Sequence, residues 1–214
     1  MRDLDKALAD IGSIRQQLAA GTVFRGFGPV VIALTGVLAL VTAGAQAIWL
    51  GNPTHEPLAF LSGWGVAAVA AAALIWAEML ARSRRHHSGL ADAMILNAIE
   101  QFLPAGAAGV AIALVLFEFA PETLWVLPGL WQILVSLGLF AALRSLPRAV
   151  VLAAAFYFVA GVAVLIVSSR TQALSPWLMG VPFAAGQFLL AAILHIAFAS
   201  SDGETASGRN NGHD

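Results

Sequence analysis

The run "AMILNAIEQFLPAGAAGVAIALVLF", residues 93–117, carries one charged side chain, Glu100, in 25 positions. A helix rises 1.5 Å per residue and the hydrocarbon core of a bilayer is about 30 Å thick, so a run of this length reads as a membrane-spanning helix. Further apolar runs stand at 28–50, 57–80, 124–144, 147–168 and 175–199. Backbone amides in lipid must be satisfied within the segment, and none of these runs has the length or alternation of the ~10-residue strands of a membrane barrel. The sequence therefore predicts an all-α fold, a polytopic bundle of six transmembrane helices over residues 28–199.

The composition agrees. Of 214 residues, 59% are hydrophobic and 11% charged, with a mean hydropathy of +0.83. Soluble domains carry about 25% charged residues, so the lipid bilayer is the first partner this chain implies. The net charge is −1, and ten Arg and one Lys stand at the ends of apolar runs, which leaves no basic face for nucleic acid. Cysteine is absent, which removes disulfides, thiolate metal sites and cysteine nucleophiles together. Lys6 precedes every apolar run, so no span offers a lysine for a Schiff base. The charges of residues 1–27 and the length of the first apolar run argue against a cleaved signal peptide.

Proline marks the boundaries. Pro29, Pro57, Pro147 and Pro176 fall at or beside first helical positions, where a missing N–H costs nothing, while Pro128 lies deeper and predicts an irregular start to the fourth span. Lys and Arg number ten on the side of the termini, in the segments 1–27, 81–92, 144–148 and 200–214; Arg170 alone lies on the other. That imbalance predicts both termini in the cytoplasm. Trp49, Trp125, Trp131 and Trp177 gather toward the opposite ends of their spans, as an aromatic belt would.

Residues 1–27 form a separate cytoplasmic segment. Leu4, Ala7, Leu8, Ile11, Ile14 and Leu18 recur at helical spacing, which predicts an amphipathic helix that either lies in the interface or docks a cytoplasmic protein partner. Residues 200–214, "SDGETASGRNNGHD" after Ser200, are polar and Gly-rich and are expected to be disordered. A weak echo between the halves, "PAGAAG" at 104–109 and "PFAAG" at 182–186, raises a 3+3 inverted repeat, an arrangement that transporters use around midplane sites. Assembly into a homo-oligomer is compatible with this layout.

Glu100 is the chemically loaded position. It falls roughly 9–12 Å along its helix at 1.5 Å per residue. An unpaired carboxylate at the centre of a span costs about 2.5–3.5 kcal/mol and less toward the ends, so the group must be paired, hydrated or protonated. Arg82, Arg84, Arg85, Arg144 and Arg148 crowd the same side as ion-pair candidates; otherwise burial raises the carboxyl pKa and makes a proton-exchanging group. Asn97, Gln101, Pro104 and Ala108 follow a helical stripe beside it. In the sixth span Gly180, Ala184, Gln187, Ala191 and His195 form another, which predicts packing against helices instead of lipid. Asn97, Glu100, Gln101, Gln187 and His195 are thus the candidate ligand-binding residues, lining a polar cavity open to the cytoplasm, with Pro104 and Pro182 freeing carbonyls beside it. For His195 a helix-end contact with a carbonyl or water is the plainer reading. Gln46, Gln132, Ser136, Thr35 and Thr42 are candidate interhelical hydrogen-bond partners.

No G-x-S-x-G, H-E-x-x-H or phosphate-loop pattern occurs, so an enzyme is disfavoured. His55, His86, His87 and His213 fall in loops or the tail, which gives no histidine pair for an intramembrane haem; no cofactor or metal is called for. The segments "IRQQLAAGTVFRGFGP" (14–29), "LPGLWQ" (127–132) and "PWLMGVPFAAGQ" (176–187) resemble an uncharacterised family of small bacterial six-span inner-membrane proteins often encoded beside winged-helix regulators. The resemblance implies a bacterial inner-membrane location and transfers no functional residue. Two functions then compete: a small transporter or channel-like protein built around Glu100, and a regulatory or assembly subunit that docks a partner through its N-terminal helix.

Overall fold

The structure is a computed structural model that describes the backbone of residues 28–85, 90–143 and 146–210 and the side chains of 28–81, 101–143, 146–197 and 199. The amphipathic segment 1–27 lies outside the described residues. The helices are α1 (Pro29–Trp49), α2 (Pro57–Arg85), α3 (Leu90–Phe119), α4 (Leu127–Ala142), α5 (Val150–Thr171) and α6 (Pro176–Asn210), with no strand among the described residues. Each contributes to a stretch long and apolar enough to cross a membrane, so the chain is a multi-pass membrane protein.

Local chemistry explains the boundaries. Pro29, Pro57 and Pro176 are the first residues of α1, α2 and α6. Pro147 sits in the turn before α5, where its carbonyl accepts the Val150 N–H at 2.9 Å. The fourth span is in two parts, a 3₁₀ turn at Pro121–Val126 running straight into α4, and Pro128 stands in the first turn of α4. Its irregular start follows from that inset proline. At the far end α6 continues to Asn210, beyond its apolar stretch, which closes at Ala197, and into the polar sequence after it.

The helices form a ring in chain order. The most extensive contacts join α1 to α6 and α4 to α5; α3 lies on α4, α2 on α1, and α5 against α6, while α2 and α3 barely touch. The third helix of each half therefore packs on the first helix of the other, as in any ring of six taken in chain order. The connections 50–56 and 172–175 meet where the Leu174 N–H donates to Thr54 Oγ1 at 3.0 Å. That end carries Glu56, Glu118 and Glu122 against Arg170 and is called here the acidic end; the other, where the backbone of Arg82, Arg84, Arg85 and Arg148 lies, is the basic end.

Apolar side chains gain nothing by leaving lipid for protein, so helix association rests on close packing and interhelical hydrogen bonds. The tight seams show both. Along α1 and α6, Gly36, Ala39 and Ala43 face Gly180, Ala184 and Gln187; a Cβ on Gly36 would lie 3.1 Å from Gln187 Cβ, and one on Gly180 3.1 Å from the Ala39 carbonyl oxygen. On α4 and α5, Gly129 and Gly161 meet backbone to backbone, a Cβ on Gly129 falling 2.6 Å from the Gly161 carbonyl oxygen. Buried side chains fill two layers. Tyr157, Val150, Leu139 and Leu194 centre the layer at the basic end; Phe60, Trp64, Leu124 and Leu127 centre the other. Phe183 packs against both.

Candidate functional site

Most polar groups inside the bundle are committed to holding it together. Pro182 has no N–H, so the carbonyl of Leu178, four residues earlier, loses its helical donor. Gln132, fully buried on α4, supplies the replacement: its Nε2 donates to the Leu178 oxygen at 3.1 Å. The carbonyl that Pro182 releases is thus taken within the protein and is not left for a ligand. Ser136 Oγ donates to the Ala154 carbonyl at 2.8 Å, Gln46 Nε2 to Phe60 at 2.9 Å, and Trp131 Nε1 to Gly109 at 3.1 Å. Gln46, Gln132 and Ser136 therefore join helices as expected. Thr35 and Thr42 do not: their hydroxyls return to the carbonyls of Ile32 and Leu38 on their own helix, at 2.7 and 2.8 Å. Of the four Trp residues expected in a belt, Trp49 and Trp177 are exposed at the acidic end, whereas Trp131 is held against α3 by its hydrogen bond.

The candidate site is what the helices leave open. Because α2 and α3 hardly meet, a cavity of about 410 Å³ remains between them and the four tighter helices, in the half of the bundle nearer the basic end. Ala72, Ile75, Trp76 and Met79 of α2, Phe102 and Leu103 of α3, Val135 and Leu139 of α4, and Leu190 and Leu194 of α6 line it. Ala72, Trp76 and Leu103 of its wall are exposed, so the cavity is open and not enclosed. Its volume is within the range of small-molecule sites.

Two polar side chains reach this apolar wall, Tyr157 and Gln187. The Tyr157 hydroxyl donates to the Phe183 carbonyl at 2.9 Å and is thereby fixed. Gln187 differs. Its stem is wedged against Gly36, and its amide makes no hydrogen bond, the oxygen being buried without a donor. A buried amide left unpaired costs about 1–3 kcal/mol, and a half-turn of its last torsion exchanges oxygen and nitrogen. Gln187 is therefore a polar group held ready for a partner.

The five residues singled out from the sequence separate. Gln187 lines the cavity. Gln101, half-buried, immediately precedes the cavity residues Phe102 and Leu103. Asn97 and Glu100 are in the helical backbone of α3, with Glu100 one turn before Leu103, but their side chains lie outside the described residues. His195 is exposed on α6, although Gly180, Ala184 and Ala191 of the same stripe are buried. The stripe outlasts its partner: α1 begins at Pro29, and Ile32 and Leu194 already lie at the same level in one core layer. Among the described residues the cavity wall is thus apolar but for Tyr157 and Gln187. Trp76 and Tyr157 escaped notice because an aromatic residue in a span carries no mark of facing a void. Tyr157 had one available signal, as the single tyrosine of the chain. No group of three His, Asp or Glu side chains suited to a metal occurs among the described residues. Set against known protein families, curated proteins and solved structures, the chain matches none.

Proposed function

We propose that this protein binds a lipophilic molecule bearing one polar group, admitted sideways from the bilayer between α2 and α3, and carries it within a bacterial inner membrane. The observation that carries the reading is the unpaired Gln187 amide in the wall of an otherwise apolar cavity of about 410 Å³. Burying the chain of such a ligand gains nothing over lipid, so selection rests on its polar group meeting that amide. The excess of Arg at the basic end favours cytoplasmic termini. The first turns of α3, with Asn97, Glu100 and Gln101, then lie on the cytoplasmic side of the cavity, where Glu100 would couple ligand movement to a proton. Glu100→Gln should abolish proton-coupled flux in reconstituted vesicles without altering the fold.

The binding step is tested with purified protein in lipid nanodiscs and a matched pair of probes, dodecanol and dodecane. Dodecanol should bind about three- to tenfold more tightly, the range of one net hydrogen bond. Gln187→Leu should bring the two probes to equal affinity, and Ala72→Phe, which fills the cavity, should remove both. Binding of dodecanol unchanged by both substitutions would reject the site.

A further inference from the structure

At the acidic end the connections converge on a second cavity, separate from the first and of different chemistry. It measures about 240 Å³ and includes Thr54, Glu122, Leu124, Trp125, Gln172 and Leu174 in its wall. The Thr54–Leu174 hydrogen bond ties two of the three contributing connections together, and Leu124, only 2% exposed, anchors the third in the core. Gln172 closes α5 in the left-handed conformation, φ 49°, held by its N–H bond to Ser168 at 2.7 Å. The pocket is thus built from fixed backbone at the rim of the membrane.

Its charge is one-sided. Glu122 is the single charged residue in the described wall, and it makes no ion pair or side-chain hydrogen bond among the described residues. A carboxylate and an indole in one cavity wall suit one class of ligand: a cation is attracted by the negative charge and by an aromatic ring, and an organic cation fits the pocket better than a hydrated metal ion, which would demand more oxygen ligands. We propose that this cavity binds an organic ammonium ion, with Glu122 as its counter-charge and Trp125 as its aromatic wall. The ammonium group belongs either to a phospholipid headgroup or to a small free amine; the chemistry of recognition is shared.

The test uses the full chain in nanodiscs of phosphatidylglycerol, which has no ammonium group, titrated with choline and with ethanolamine by calorimetry. Saturable binding of at least one is expected, weakened about fivefold or more in Glu122→Gln and in Trp125→Leu and unchanged in Glu118→Gln. Thermal unfolding of each variant checks that the fold persists. Repeating the titration in nanodiscs containing phosphatidylethanolamine separates the sources: loss of free-amine binding identifies the headgroup as the occupant, and undiminished binding identifies a soluble amine. Absence of saturable binding, or binding equal in wild type and Glu122→Gln, overturns the proposal.

Discussion

The seam between α4 and α5 and the open faces of α2 and α3 use the same small residues to opposite ends. At Gly129 and Gly161 the missing side chains let two backbones touch; a Cβ on either would sit 2.6–2.7 Å from the opposing carbonyl oxygen. Gly65 on α2 and Gly106 on α3 are helical glycines too, yet a Cβ at either would meet nothing within 4 Å. Glycine in a membrane helix is therefore not in itself a sign of close packing. What differs is the neighbour: α4 and α5 lie in extensive contact and are joined by the Ser136–Ala154 hydrogen bond, whereas α2 and α3 meet at few described residues. Where close packing is a main source of cohesion, a pair that packs so little leaves room for a cavity.

That contrast can be broken by substituting alanine. Gly129→Ala should be the most damaging, forcing α4 from α5 at a cost of about 2–3 kcal/mol, read as a lower unfolding midpoint in detergent. A midpoint equal to wild type would mean that the seam is not as close as described. Gln132→Leu should cost about 1 kcal/mol, since it deprives the Leu178 carbonyl of a donor while also removing a buried, unpaired amide oxygen. In a Pro182→Ala background, where the helix supplies its own N–H to Leu178, the same substitution should cost less; strict additivity in this cycle would disconnect the two residues. Smallest of all, Gly65→Ala and Gly106→Ala should leave stability unchanged or raise it by up to about 1 kcal/mol, as alanine favours the helix and nothing obstructs it. A loss at either position would show that α2 or α3 has a close neighbour there.

Much of the fold was legible because single segments encode it. Apolar length predicted six spans, and Pro29, Pro57 and Pro176 placed three starts to within a residue, since each is a local requirement of backbone chemistry. The inset Pro128 foretold the 3₁₀ entry to α4 for the same reason. The role of Gln132 was only half legible: it reads as polar glue, but its target depends on a proline 50 positions further along the chain and on which helices adjoin. Thr35 and Thr42 show the complementary failure, because a hydroxyl can satisfy itself on its own helix and then joins nothing. The cavity was the least visible. Its wall is mostly ordinary lipid-facing residues, and only the pairing of helices decides that Ala72, Trp76 and Leu103 border a void. Gln187 could be picked out as polar; that its amide borders the cavity with its oxygen unpaired could not.

The most extensive contacts of α1 are with α6, so the first described span to be made waits for the sixth. Until then the Gly36–Ala43 face of the nascent chain lies bare among acyl chains or against the insertion machinery, and the ring cannot shut until the sixth span is released. A protein cut short after Thr171 would lose more than one helix: it would persist as an open crescent with an unsatisfied edge, the form that membrane quality control is built to remove.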